Sequence, residues 1–217
     1  MKTYPICLVG LENRHVVVIG GGRVAARKAQ ALLEAGGTVA AISPLFCEEF
    51  SCLSEPDARL EMVRREYQAG DLEGAFLVVA ATDDPRVNQE VWDEALKQGC
   101  LINVVDDPEH SNFIVPAVVQ RGEVKIAVTT GGASPALARR LREKLEELIG
   151  PEYGDLACLL AEMRPELQRR FAPGEPRLEA ALRLVDSDLL EILRREGMQA
   201  AGSRAQQILS VKEEIGD

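Results

Sequence analysis

Three consecutive glycines, Gly20-Gly21-Gly22, lie between a β-branched run, Val16 to Ile19, and a segment of helix formers that opens with Arg23-Val24-Ala25-Ala26. Gly20, Gly22 and Ala25 fit the spacing G-x-G-x-x-G/A. There the first glycine makes a tight turn, the second admits a pyrophosphate, and the small third residue lets helix and strand touch. The first N–H groups of a helix lack intrahelical acceptors and suit an anion. The chemistry this predicts is dinucleotide binding, with Gly20, Gly21, Gly22, Arg23 and Val24 around the phosphates.

An acid about twenty residues further on usually holds the ribose hydroxyls; this chain has Ser43 there. Glu48 and Glu49 come too late, and no arginine closes that strand to take a 2′-phosphate. Ser43 can still bond a ribose hydroxyl, but without a carboxylate a 2′-phosphate is less well excluded, and the residues leave NAD and NADP both open. More polar residues gather where other strands should end, at Thr82-Asp83-Asp84-Pro85 and at Asn103-Val104-Val105-Asp106-Asp107-Pro108. Ligands of doubly wound sheets bind at the carboxyl ends of the strands. Gly20 to Gly22, Ser43, Thr82, Asp83 and Asn103 to Asp106 should thus converge on one crevice. Turn initiation and helix capping are the plainer reading of Asp83, Asp84 and Asp107, and fit Asp106 less well.

A second glycine loop, Gly131-Gly132-Ala133-Ser134-Pro135, opens a predicted helix over Ala136 to Ile149, with Ser134 as N-cap. Such a loop suits a carboxylate or phosphate, and Arg139, Arg140 and Arg142 could add charge-assisted bonds. A capped surface helix with solvated arginines is the alternative. Of the two histidines, His15 reads as structural, and His110 is either a proton or metal handler or an exposed loop residue.

The elements that must hold these residues alternate strand and helix. Strands are expected at Val16–Ile19, Thr38–Ile42, Arg59–Arg65, Phe76–Ala81 and Leu101–Val105, and crossover helices at Val24–Ala35 and Asn88–Lys97. Tyr4 to Leu8 is expected to add an edge strand or a plug. Phe113–Val119 and Val124–Thr130 read as a hairpin joined by Gln120 to Glu123. Beyond Gly150-Pro151 two apolar stripes predict helices, one of Leu156, Leu159, Leu160, Met163 and Leu167, the other of Leu178, Leu182, Val185, Leu189, Ile192 and Leu193. Gly202 to Asp217 is polar and expected to be mobile.

Composition narrows the functional classes. A net charge of −10 disfavours nucleic acid and anionic membranes, which need a basic footprint. No apolar run reaches the roughly 20 residues of a membrane helix, and the N-terminus lacks the pattern of a signal peptide. Five scattered cysteines without a C-x-x-C pair argue against a disulfide framework or a zinc site, and a reducing cytoplasm is expected.

Three motifs together carry a family. They are Gly20-Gly21-Gly22-Arg23-Val24-Ala25-Ala26-Arg27-Lys28, then Asn103 to Pro108 with Asn112-Phe113-Ile114-Val115-Pro116-Ala117, then Thr130-Gly131-Gly132-Ala133-Ser134-Pro135-Ala136-Leu137-Ala138-Arg139. In this order and spacing they closely resemble the precorrin-2 dehydrogenase module of siroheme synthases. The resemblance implies an α/β fold: a Rossmann-type parallel sheet over residues 1–112, a small α+β dimerisation domain of hairpin plus helix over 113–150, and a helical C-terminal region over 151–217. It also implies a homodimer and, given the chain's length, a stand-alone enzyme without a methyltransferase module, serving siroheme, heme d1 or alternative heme biosynthesis.

The implied reaction is NAD-dependent oxidation of precorrin-2 to sirohydrochlorin; some members also insert ferrous iron to give siroheme. Asp106 matches the family's implicated aspartate, a general base or proton guide that in chelation would help remove pyrrole protons. No permanent metal site is needed. Asn112, Thr130, Gly131, Gly132, Ser134 and Arg139 are implied at the substrate. Thr130 stands where some bifunctional relatives have serine, which keeps a hydroxyl. A non-catalytic dinucleotide sensor explains the glycines but neither of the other motifs, and an NADP-dependent oxidoreductase of an unrelated small substrate would not bind a coloured tetrapyrrole.

Overall fold

Runs of β-branched and small residues without polar interruption leave no strand face for water, so they are placed inside a parallel sheet. The computed structural model, which describes residues 2–54 and 59–210, has a sheet of five strands, β1 (His15–Ile19), β2 (Thr38–Ile42), β3 (Leu60–Val63), β4 (Leu77–Ala80) and β5 (Leu101–Val104), of which β1, β2 and β4 are such runs and β3 is an edge strand with Glu61 exposed. All are parallel, in the order β3-β2-β1-β4-β5. Val17 of β1 sits opposite Ala40 on one side and Val78 on the other. The order reverses between β1 and β4, so the carboxyl ends of these two strands form the switch-point crevice of an open α/β sheet.

Alternation along the strands divides the core in two. Val16 and Val18 face α1 (Arg23–Glu34) and α2 (Glu48–Ser54), together with Phe50 and Val79. Val17 and Ile19 face α3 (Pro85–Gln98), with Val91, Ala95 and Ile102. Ala25, Ala26 and Ala29 are all buried on α1, and their small side chains bring that helix close to the sheet. Helix α3 starts three residues before the expected Asn88, because Asp84 caps it and Pro85 suits its first position.

The chain divides into two compact units, Met1–Val115 and Pro116–Asp217. The second holds an antiparallel hairpin, β6 (Ala117–Arg121) and β7 (Val124–Val128), and five helices: α4 (Pro135–Leu148), α5 (Glu152–Arg170), α6 (Glu175–Val185), α7 (Leu189–Arg195) and α8 (Met198–Ser210). The hairpin begins later than expected at Phe113, since Pro116 lacks an N–H and Phe113 packs into the first unit's core. Gly122, at φ 55°, makes its two-residue turn.

Three expectations are corrected. Residues 4–8 form no strand, and Tyr4 and Ile6 are exposed. Helix α6 turns Ala180 and Leu184 inward and leaves Leu178, Leu182 and Val185 exposed, because alanine at the contact lets the helices approach more closely than a leucine stripe would. Residues 202–210, expected to be mobile, complete α8, whose Ala201, Ala205 and Leu209 repeat every four residues and are buried; residues 211–217 lie outside the described residues. Among the described residues, no helix is long and apolar enough to cross a membrane.

Candidate functional site

The glycine loop leaves β1 and turns straight into α1, and its three glycines differ physically. Gly20 has φ 125°, its N–H donates to Ile42 O at 2.9 Å, and a Cβ there would lie 2.4 Å from Ala81 O. At Gly21 a Cβ would lie 1.8 Å from Leu45 O and 2.7 Å from Ser43 Oγ. Close packing onto β4 and onto the loop after β2 therefore requires both. Gly22 is the N-cap of α1, with φ −80° and no side-chain cap, and a Cβ there would meet nothing within 4 Å. Its missing side chain leaves open space in front of the unpaired N–H groups of the α1 first turn, where Arg23 and Val24 are exposed. That cradle fits the diphosphate of a dinucleotide.

Ser43 ends β2 and is buried, and its Oγ donates to Leu45 O at 2.7 Å. The proton expected to reach a ribose hydroxyl is thus already donated within the loop. Folding of residues 43–47 onto the glycines, with Cys47 N–H donating to Gly21 O at 2.8 Å, carries α2 to the first turn of α1. There Arg23 Nε lies 2.7 Å from Glu49 Oε1. Its own main-chain N–H, the Cys47 thiol and Arg23 hold the Glu49 carboxyl below the usual carboxylate range. Spacing along the chain excluded Glu49; only the fold of the loop brings it here.

At the end of β4, Thr82 Oγ1 lies 2.8 Å from Asn88 Oδ1, and Asn88 Nδ2 donates to Thr82 O at 3.0 Å. Asn88 thus clamps the turn that leaves Asp83 exposed. Asp84 accepts from Arg86 N–H at 2.9 Å and is a helix cap.

The end of β5 is held by two side chains that act like a neighbouring strand. Asn112 Oδ1 accepts from Ile102 N–H at 2.8 Å and its Nδ2 donates to Cys100 O at 2.9 Å. The Asn112 amide, implied at the substrate, is occupied by the edge of β5. Ser111 Oγ accepts from Val104 N–H at 3.0 Å, and buried Asn103 donates to Phe113 O at 3.2 Å. Asp106 follows, exposed, at φ 60°, and is the one non-glycine residue with positive φ among those described. Asp107 accepts from the main-chain N–H of Glu109 and His110 and lies 2.7 Å from His110 Nδ1; the His110 side chain is the main reason its carboxyl sits below the usual range.

Lys28 falls on the same stripe of α1 as Ala25, Ala29 and Leu32, where the helical period calls for an apolar residue. Burial, and then Arg27, lower its pKa from the usual lysine value; the Asp106 carboxylate opposes the shift. The helical period itself carried this signal, because a lysine inside an apolar stripe needs a carboxylate nearby.

The second glycine loop lies in the second unit. Thr130 Oγ1 accepts from Ser134 N–H at 3.0 Å, and Gly131 and Gly132 have φ of 63° and 85°. Ser134 caps α4 by accepting from Leu137 N–H at 3.2 Å. Arg139 is exposed and pairs with Glu143 at 3.1 Å, as a solvated helix arginine does.

Known proteins resemble the chain in sequence and in fold. A family model described as putative NAD(P)-binding matches residues 7–117, and one described as sirohaem biosynthesis protein central matches residues 121–148. Siroheme synthase 1 of Aeromonas salmonicida is 36% identical over 203 residues, 94% of this chain and 43% of that protein. The siroheme synthase of Methylobacillus flagellatus is 41% identical over 177 residues, 82% of this chain and 38% of that protein. The chain thus spans less than half the length of these curated relatives. Among solved structures, SirC, a precorrin-2 dehydrogenase, superposes with a TM-score of 0.77 at 26% identity, covering 94% of this chain and all of that one. With the first model spanning half of its length, the chain belongs to the putative NAD(P)-binding family, and the residues that follow match the central model of sirohaem biosynthesis proteins.

Proposed function

We propose that this chain oxidises precorrin-2 to sirohydrochlorin, with NAD as acceptor. The observation that carries the reading is the open position beside Gly22 at an uncapped helix N-terminus, next to the switch point of a parallel sheet. An oxidised nicotinamide, when bound, supplies the acceptor for the hydride that the macrocycle loses. Gly22 and the first N–H groups of α1 hold the diphosphate. Gly20, Gly21, Ser43, Thr82 and Asn103 shape the crevice, Val24 and Asp83 are exposed at its mouth, and buried Val104 supports the end of β5.

The macrocycle also loses one proton, which passes to the Asp106 carboxylate. The exposed, left-handed position of Asp106 and the lysine charge it supports on Lys28 favour that role. In the second unit, the Gly131–Gly132 loop and the Ser134-capped start of α4 favour a carboxylate group, with Thr130 bracing the loop and Arg139 adding charge. Apolar residues exposed on β6 and α4, among them Val118, Leu137 and Leu141, support a homodimer, which light scattering would register as twice the chain mass. Five unpaired cysteines favour a cytoplasmic setting.

The test mixes the protein with precorrin-2 and NAD under anaerobic conditions and follows NADH and sirohydrochlorin absorption, with Asp106→Ala alongside. Faster oxidation than without protein is expected from the wild type and not from the variant. Continued with ferrous iron as substrate, the same assay reads siroheme formation. No acceleration with either NAD or NADP would overturn the proposal and favour a dinucleotide sensor.

A further inference from the structure

The place where an acid ordinarily reads the ribose is taken by Ser43, whose hydroxyl is donated to Leu45 O at 2.7 Å. Discrimination between dinucleotides with and without a 2′-phosphate must come from another group. The structure brings one charged pair to the mouth of the glycine loop: Arg23, the first residue of α1, and Glu49, in the first turn of α2. Their side chains meet at 2.7 Å, 86% and 47% exposed.

Each member has a defined effect on a phosphate. A guanidinium in or beside the glycine turn is the kind of group that takes a 2′-phosphate in two parallel bonds. A carboxylate in contact with that guanidinium balances its charge, takes up its Nε–H and repels a phosphate dianion. The pair is exposed, so it contributes little to stability, and either residue can be replaced without loss of the fold. The loop that carries Glu49 is held by separate bonds, Cys47 N–H to Gly21 O and Ser43 Oγ to Leu45 O.

We propose that the Arg23–Glu49 pair sets the choice of dinucleotide, with Glu49 occupying the arginine that would hold a 2′-phosphate, so that the site selects NAD over NADP. The proposal rests on the reading of the glycine loop as a dinucleotide site.

Binding of NADH and NADPH, followed by their own fluorescence, tests it without substrate. Wild type is expected to bind NADH at least about tenfold more tightly than NADPH. Glu49→Gln should tighten NADPH about tenfold and leave NADH within about twofold, because a freed guanidinium gains charge-assisted bonds to the phosphate. Arg23→Ala combined with Glu49→Gln should lose that gain. The proposal is overturned if wild type prefers NADPH, if Glu49→Gln leaves the ratio of the two affinities unchanged, or if its gain survives removal of Arg23. A wild-type protein that binds neither dinucleotide would instead overturn the underlying reading of the loop.

Discussion

Replacing Gly22 by alanine separates folding from binding at one atom. At φ −80° and ψ 176° the Gly22 backbone is one that any residue adopts, and the added Cβ has no neighbour within 4 Å. Folding should change little: the lost freedom of the unfolded chain favours alanine by about 0.4–1 kcal/mol, and alanine's poorer fit at an N-cap offsets about as much. Binding should suffer, because the methyl group fills the space through which a diphosphate reaches the helix N–H groups. Charge-assisted bonds of that kind are worth roughly 1.5–3 kcal/mol each. Losing one of them weakens NADH by about tenfold or more.

Gly21→Ala should instead cost folding. Its Cβ would lie 1.8 Å from Leu45 O, a backbone atom, so the 43–47 loop must shift. Overpacking of this kind costs about 1–3 kcal/mol. Urea unfolding followed by the single tryptophan, Trp92, and fluorescence titration with NADH measure the two effects. A Gly22→Ala protein that binds NADH like wild type, or a Gly21→Ala protein as stable as wild type, would refute the division of roles between the glycines.

Asn112→Ala leaves Ile102 N–H and Cys100 C=O without their side-chain partners, so a loss of about 1–3 kcal/mol in urea unfolding is expected, with NADH affinity unchanged. Lys28 makes stability depend on pH. Its pKa is lowered in the folded protein, so the unfolded chain binds the extra proton between that value and the ordinary lysine range. Across this window wild type should gain stability relative to Lys28→Met as pH rises. Asp106→Asn, by removing the carboxylate that supports the Lys28 charge, should widen the window towards lower pH. A wild-type minus Lys28→Met difference that is flat with pH in urea titrations would refute the burial argument. Asp71 gives the same slope with pH, from a stabilising contact: Arg65, bound through both carboxylate oxygens, is the largest reason its carboxyl lies below the usual range. The excess stability of wild type over Asp71→Asn, about 1 kcal/mol at neutral pH, should therefore vanish as pH falls through the Asp71 titration.

Local chemistry was enough to read the frame. A continuous β-branched run can only be buried on both faces, three glycines between such a run and a helix former can only be a tight turn, and a serine before a proline caps the next helix. Hence β1, the glycine loop, α1, β2 and the Ser134 cap stand close to where their residue types require. Groups whose roles depend on distant partners could not be read this way. Glu49 meets Arg23 only because the 43–47 loop folds onto Gly21. Asn112 serves the edge of β5 because the chain doubles back along it, and the Ser43 hydroxyl donates its hydrogen bond to a carbonyl two residues away. The inward face of α6 was decided by which side chain lets neighbouring helices approach, giving Ala180 the contact and leaving Leu178 exposed. Periodicity and spacing report a residue's own helix or strand; which carbonyl, carboxylate or neighbouring helix it meets is a property of the closed chain, and only the tertiary structure decided it.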